Sequence, residues 1–476
     1  MQRRLVLAGA LALVLVPADL SGQGSSVTTH SSCAVGMAAA GVASPCLDAS
    51  GIFFNPSALA VQPSTIGIGV TGIQSSGEFT YDFTGETVER ESKVSTVPFA
   101  FASYRVTDRL AVGIGGFAPY GLRLEWPVCP IEQPRNCGEA NFEGRFASYD
   151  TELRNIYVQP TVAYQVAPGL SVGGGLDVVF SSIDLNQRVD LADQQAAPAV
   201  TFANLGIPRG TDFADANLSG DATSVTFNVG VLANPSEGFS FGIRYLNKVT
   251  VDFEGEADFT QVSTGLVLPP GNPLMAPAGT PVDALVAGQF ASGGALADQR
   301  LATSLTLPYQ LVVGVALRPV PNVKLLGDFQ LTGWHDFDVA QIDFAENGPD
   351  QPLILDYQDA YTYRFGGEWM PGGGALALRG GFIYNTAAEQ AASVSPLLPE
   401  NERNYYTAGI GYRFGERLGI DLGYQLVDQA DVRGRTRGRA SFAQTAEQLN
   451  VGVYESTANV FNATLYYHFG GVRSTY

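Results

Sequence analysis

From Thr65 onward, apolar residues recur at every second position, the period of a β-strand rather than a helix. In the last segment Phe461, Ala463, Leu465, Tyr467 and Phe469 alternate with Asn462, Thr464, Tyr466 and His468. Leu418, Ile420, Leu422, Tyr424 and Leu426 alternate with Gly419, Asp421, Gly423 and Gln425. Tyr406, Ala408, Ile410, Tyr412 and Phe414 alternate with Thr407, Gly409, Gly411 and Arg413. The pattern predicts strands near 64–84, 92–106, 109–123, 151–167, 170–187, 223–234, 239–254, 304–319, 323–343, 354–369, 374–386, 404–415, 417–432 and 454–469. That is about fourteen, an even number, as a closed bacterial barrel requires.

A soluble sandwich alternates in the same way, and three further features favour a transmembrane antiparallel β-barrel. Aromatics such as Tyr361, Trp369, Tyr412 and Phe414 end the apolar faces, where interfacial girdles form. Short turns at Thr107-Asp108-Arg109, Pro168-Gly169, Pro321-Asn322 and Gly415-Glu416-Arg417 alternate with long loops near 125–150, 189–222, 255–303, 345–353, 386–403 and 433–453. The faces opposite the apolar ones carry Arg, Glu, Asp, Gln and Gly, which suits a polar lumen and not a sandwich core.

The N-terminus adds a compartment. Arg3 and Arg4 precede an apolar run from Leu5 to Val16 and then small residues, the layout of a secretory signal, here residues 1–24. That run is shorter than the roughly 20 residues a spanning helix needs. With 476 residues, two or three domains are the usual expectation, yet no linker or composition break divides the chain, and one large barrel accounts for the length. A net charge of −19 disfavours nucleic acid as a partner, because phosphate binding needs clustered Lys and Arg. Four cysteines, Cys33, Cys46, Cys129 and Cys137, suit an oxidising compartment, and proximity favours the pairs Cys33–Cys46 and Cys129–Cys137. Their spacing, with His30, His335 and His468 scattered, does not make a zinc site.

Residues 30–62 do not alternate and are rich in small side chains. Within them the run Asp48-Ala49-Ser50-Gly51-Ile52-Phe53-Phe54-Asn55-Pro56-Ser57-Ala58 resembles the N-terminal hatch of the long-chain fatty acid transporter family of outer-membrane proteins (FadL/TodX type). The stretches Ile114 to Leu124 and Tyr245 to Phe253, Thr306-Leu307-Pro308, and Asp359-Ala360-Tyr361 resemble family strands, so the likeness runs from Ser32 to Phe469. Ser57 departs from the family's Ala or Gly, and seven residues follow Phe469, leaving either Phe469 or Tyr476 as the signal for the barrel-assembly machinery. The resemblance implies a hatch over 25–62, including Asp48, Phe53, Phe54, Asn55 and Pro56, inside a barrel over 63–476. It also implies a monomer in a lipopolysaccharide-covered bilayer that captures hydrophobic molecules in its outer loops, holds them in the lumen, shifts the hatch and releases them sideways.

Several residues are compatible with such a route. Parity puts Arg244, Lys248, Arg364, Arg379 and Arg413 on the lumen face, where a buried cation binds a carboxylate strongly. The competing assignment is a salt-bridge network with Asp252, Asp328, Glu368 and Asp421, since buried charges need partners. Leu266, Leu268, Leu274, Met275, Leu285 and Phe290 make the loop at 255–303 apolar, which implies ligand capture or packing on the loop at 189–222. Gly115, Gly116 and Pro119 mark a lateral opening in the third strand, or an ordinary bulge. No nucleophile motif, metal cluster or phosphate loop suggests an enzyme or a cofactor. A channel for aromatic hydrocarbons, a polar-solute porin and an adhesin remain as rivals to fatty-acid uptake.

Overall fold

The computed structural model describes residues 26–469 except 83, 132–141, 338, 346–350, 355–356, 391–393 and 435–450. The 14 strands of the wall are β1 (Thr65–Tyr81), β2 (Val94–Arg105), β3 (Leu110–Glu125), β4 (Asp150–Ala167), β5 (Leu170–Val189), β6 (Ala214–Ser236) and β7 (Phe239–Leu246 and Val249–Gln261), followed by β8 (Gln299–Leu307 and Gln310–Val320), β9 (Val323–Thr332 and Val339–Phe344), β10 (Gln351–Ile354 and Ala360–Trp369), β11 (Leu376–Asn385), β12 (Arg403–Phe414), β13 (Leu418–Gly434) and β14 (Gly452–His468). Neighbours pair antiparallel, and β1 pairs with β14 from Thr65–His468 to Tyr81–Gly452, which closes the ring. Closure leaves no edge that lipid would have to solvate. No helix among the described residues is long and apolar enough to cross a membrane.

The outward faces carry Ile68, Val70, Val162, Leu176, Val225, Phe241, Leu325, Phe365, Ile410 and Leu465, all exposed, as a lipid-facing band demands. The band ends at one row of the wall. Leu246 pairs with Gln310, Gln310 with Thr332 and Thr332 with Ala360. Just above this row β7, β8 and β9 are each interrupted. Outward-facing Tyr361 and Tyr363 lie beside it, and Tyr245 and Tyr309 approach each other at 6.1 Å. Beyond it the outward positions of β7 turn polar: Thr250, Asp252, Glu254 and Glu256. The strands therefore run on past the membrane. This explains why β6 begins at Ala214 and β7 reaches Gln261, where the sequence pattern suggests loops: with water outside, the apolar side of the alternation is lost.

Residues 26–62 fill the lumen. They comprise α1 (Ser32–Gly36), α2 (Gly51–Phe54) and a 3₁₀ turn (Pro56–Ala60). These pieces are too short to persist alone, and the wall supplies their missing hydrogen bonds. Thr71 Oγ1 and Asn462 Nδ2 donate to the Thr29 carbonyl at 2.8 and 2.6 Å. Thr464 Oγ1 accepts from Ser32 N at 2.9 Å, and Asp328 Oδ2 accepts from Val42 N at 3.1 Å. Gln159 Nε2 donates to the Ile52 carbonyl at 2.9 Å. The plug backbone also approaches the wall backbone directly. A Cβ on Gly366 would lie 2.2 Å from the Met37 carbonyl oxygen, and one on Gly242 2.2 Å from that of Val42. A disulfide joins Cys33 to Cys46 across a Cα–Cα distance of 6.2 Å. Cys129 is also disulfide-bonded, and Cys137, its expected partner, lies outside the described residues.

The Gly366→Val substitution overfills the plug seat and is expected to cost about 1–3 kcal/mol of stability. It should also raise ion conductance in planar bilayers, because the plug no longer sits flush; unchanged conductance and denaturation midpoint would show that the seat is not tight.

Candidate functional site

The hatch residues are structural first. Asp48 accepts from Ser31 Oγ and Ser50 Oγ, both at 2.5 Å, and from Ser50 N at 3.1 Å, tying the start of α1 to the start of α2. Asn55 Nδ2 donates to the carbonyls of Val42 at 2.7 Å and Val231 at 3.0 Å, and its oxygen caps the Pro56–Ala60 turn. Phe53 is wedged among Phe54, His30 and Phe117, with ring centroids 5.0, 4.7 and 5.1 Å away.

Of the five basic residues expected on the lumen face, Arg244, Arg364 and Arg379 point inward. Arg244 stacks on Phe53 at 4.1 Å and donates to Asn228 Oδ1 and Gln310 Oε1 at 3.2 and 3.0 Å. It is a clamp on the hatch and lines neither lumen cavity. Arg379 is bonded to Glu368 at 2.7 Å and Asp421 at 2.5 Å, and Glu368 also meets Lys324 at 3.1 Å, a paired network. Lys248 corrects the expectation: Leu246 and Val249 are both buried, so the break between them shifts the inward parity. Lys248 thus lies on the outside, paired with Asp336 at 2.8 Å, and Asp252 is outside too. Arg413 is also corrected. It keeps inward parity but sits at the exposed rim beside the short turn, where its Nε donates to the Gly374 carbonyl at 3.0 Å.

Cavities bounded by described residues occupy the space above the plug, an inner and an outer one among them. The inner one spans about 660 Å³, open solvent included, and is lined by the arm 26–29, Trp334, Arg364, Ile383, Asn385, Glu400, Tyr405 and Gln425. Arg364 Nη2 donates to Gln330 Oε1 at 2.8 Å, and no carboxylate lies in ion-pair range of it among the described residues. The outer cavity spans about 470 Å³, open solvent included, and is bounded by Arg90, Arg123, Arg403, Leu124, Leu398 and Val427. Ile73 belongs to the walls of both. Nothing in the sequence pattern marks Arg90, Arg123 or Arg403, which come from the connection between β1 and β2, the outer end of β3 and the start of β12.

The loop between β11 and β12 turns inward and caps the lumen. Val394 packs with Trp126 and Phe142, Leu397 with Leu185 and Leu218, and the Pro399 carbonyl accepts from Gln429 Nε2 at 3.1 Å. The loop carries two buried glutamates. Glu389 Oε2 accepts from Glu400 N at 2.9 Å, and Arg403 approaches Glu400 at 3.6 Å. Burial raises the Glu389 carboxyl well above its usual range against the hydrogen bond from Glu400 N, and burial raises Glu400 against the pull of Arg403.

Farther out, the loops after β5 and β7 pack on each other. Leu268 is buried with Phe202, Leu205, Phe213 and Val286, and Leu266, Leu274, Leu285 and Phe290 cover the same cluster. Met275, at 93% exposure, stands free of it.

The wall itself has a notch. β2 and β3 pair only from Ala100–Gly116 to Arg105–Ala111, although both strands continue outward. β3 bulges between Phe117 and Tyr120 against β4. Gly115, Gly116 and Pro119 lie at this point. The plug arm reaches it too, with Val27 N donating to the Pro119 carbonyl at 2.8 Å.

A closed, plugged barrel with an apolar belt and a side notch belongs to the class of outer-membrane channels. The family model described as outer membrane protein transport protein (OMPP1/FadL/TodX) matches residues 13–469, and the chain belongs to that family and resides in the outer membrane. It is 23% identical over 482 residues to the long-chain fatty acid transport protein of Escherichia coli O6:H1, covering 97% of each. Its fold is similar to a Pseudomonas aeruginosa FadL homologue (TM-score 0.77, 20% identity, 94% of this chain and 100% of that one). It is also similar to the toluene transporter TodX of P. putida (TM-score 0.66, 17% identity, 95% and 100%).

A carboxyl whose folded value is raised contributes its stability in full below its unfolded value and loses it as pH climbs through the folded value. After the intrinsic base-catalysed rise is divided out, the amide protection factors of the capping loop should therefore fall as pH rises above the ordinary glutamate range, by at most about tenfold per unit for each glutamate. Glu389→Gln should flatten that slope; a pH-independent loop in the native chain would contradict the burial argument.

Proposed function

We propose that this protein is a passive channel for hydrophobic small molecules, long-chain fatty acids foremost, which it releases sideways into the membrane. The notch between β2 and β3 carries this reading. The axial path is blocked by the plug, while the lumen wall loses its backbone ladder at Gly116. An apolar molecule that leaves through the wall enters lipid without crossing the aqueous periplasmic side, where its apolar surface would be exposed to water.

Residues 1–24 act as the secretory signal, 25–62 as the hatch and 63–476 as the barrel. The exposed tip at Val267 and Met275, with Leu274 and Leu285 behind it, captures ligand from the lipopolysaccharide side. The inner cavity then receives it, with Arg364 as the candidate lumen contact for a polar end. Because the arm 26–29 both lines that cavity and bonds to Pro119, ligand there displaces the arm from the lip of the notch. Gly115, Gly116 and Pro119 form that lip. Phe469, just past β14, or Tyr476 serves as the signal for the assembly machinery, and the protein works as a monomer. Aromatic hydrocarbons are the second cargo class: Trp334 and Tyr405 face the inner cavity, and TodX and TbuX, of similar fold, are named toluene transporters.

Deleting Pro119 removes the extra residue of the bulge and restores an N–H to the strand. Uptake of oleate by cells carrying this variant should fall to that of a strain lacking the gene, with barrel insertion intact. Retention of full uptake would rule out the notch as the exit. Parallel uptake of toluene ranks the two cargo classes.

A further inference from the structure

We propose that the inner cavity selects cargo whose hydrocarbon skeleton carries a neutral hydroxyl group, bound by the Gln425 and Asn385 amides and the Thr332 hydroxyl. This rests on the channel function proposed above and names a class of cargo within it.

The inner cavity has two unlike walls. One is a polar row: Gln330 pairs with Thr362, and Thr362 with Asn385, across β9, β10 and β11. Neighbouring strands stand about 4.8 Å apart, so the three side chains form a strip roughly 10 Å wide. Thr332 lies one inward position farther along β9. The other wall is apolar. Ile73 and Val460 pair across β1 and β14, and Ile383 faces the same space from β11.

Part of the strip is matched within the wall. Gln330 Oε1 accepts from Arg364 Nη2 at 2.8 Å, and Gln330 Nε2 donates to Thr332 Oγ1 at 2.8 Å. Thr362 Oγ1 donates to Asn385 Oδ1 at 2.6 Å. Gln425, on β13, differs. It is almost fully buried, it lines the cavity, and its side chain has no hydrogen-bond partner among the described residues. Among those residues Asn385 Nδ2 has no acceptor either, and neither does the Thr332 hydroxyl. Two donors and one complete amide therefore remain for whatever enters.

Water matches such groups while the channel is free of cargo. A plain hydrocarbon that expels this water leaves them without partners inside the barrel, which is unfavourable. A hydroxyl group both donates and accepts, so it replaces the water that it displaces. The cavity does not single out an anion, because Arg364 and Glu400, of opposite charge, both line it. The apolar wall takes the skeleton. The match is thus a molecule with a polar group along its length and not at its end alone.

The full chain in a neutral detergent can be titrated with oleate and with 12-hydroxyoleate, which share head and chain length and differ by one mid-chain hydroxyl. Binding of the head is common to both and cancels. With each affinity referred to the compound's own partition between water and detergent, the hydroxylated acid should bind about fivefold to tenfold more tightly, the yield of one well-placed hydrogen bond. Gln425→Leu combined with Asn385→Leu should abolish that preference and leave oleate bound. Gln425→Met, which keeps the side chain's length and removes only the amide, guards against misfolding and should by itself lower the preference severalfold. Equal or weaker binding of the hydroxylated acid by the native chain, or a preference that survives in the double variant, would overturn the site. If neither acid binds nor enters cells, the channel function itself fails. Binding and uptake of both without a preference sink the hydroxyl site alone.

Discussion

The structure depends on backbone polar groups being satisfied inside a cylinder that lipid surrounds. The wall meets this demand with its own ladder. The plug cannot, because its helices are a turn or so long and leave most of their N–H and C=O groups unmatched. The lumen-facing Thr, Asn, Gln and Asp side chains are the partners it lacks, and glycines bring the two backbones close enough for them to reach. A polar barrel interior here is thus less a wetted pore than a binding surface for thirty-odd residues of the same chain.

That arrangement explains why most lumen charges are unavailable to cargo. Arg244 is held by two amides and a phenyl ring, and Arg379 by two carboxylates. What remains open lies above the plug, under a loop that folds in from outside. The side notch is reached by the plug arm, which bonds to Pro119 on the bulged strand and also lines the inner cavity.

The strand pattern, the short and long connections and the Asp48–Pro56 motif were legible along the chain because each is local: parity, turn chemistry and one compact run. The breaks in β7 to β9 were not. A two-residue interruption after Leu246 leaves the alternation intact by eye yet turns Lys248 to the outside. The extracellular strand extensions were hidden for a different reason, since water on the outer face removes the apolar contrast on which parity relies. Arg90, Arg123 and Arg403 were invisible because they meet only when the cylinder closes. The same holds for Glu389 and Glu400, which look like ordinary loop acids until the loop is seen to fold inward.

The Cys33–Cys46 bond is sealed beneath the wall, with both residues almost wholly shielded from solvent. A thiol oxidant has no access to such a place, since exchange requires direct approach to sulfur. The crosslink must therefore be made while the N-terminal segment is still exposed in the periplasm, before the first and last strands meet. Biogenesis of this protein accordingly has an order: oxidise the stopper, then wrap the vessel around it.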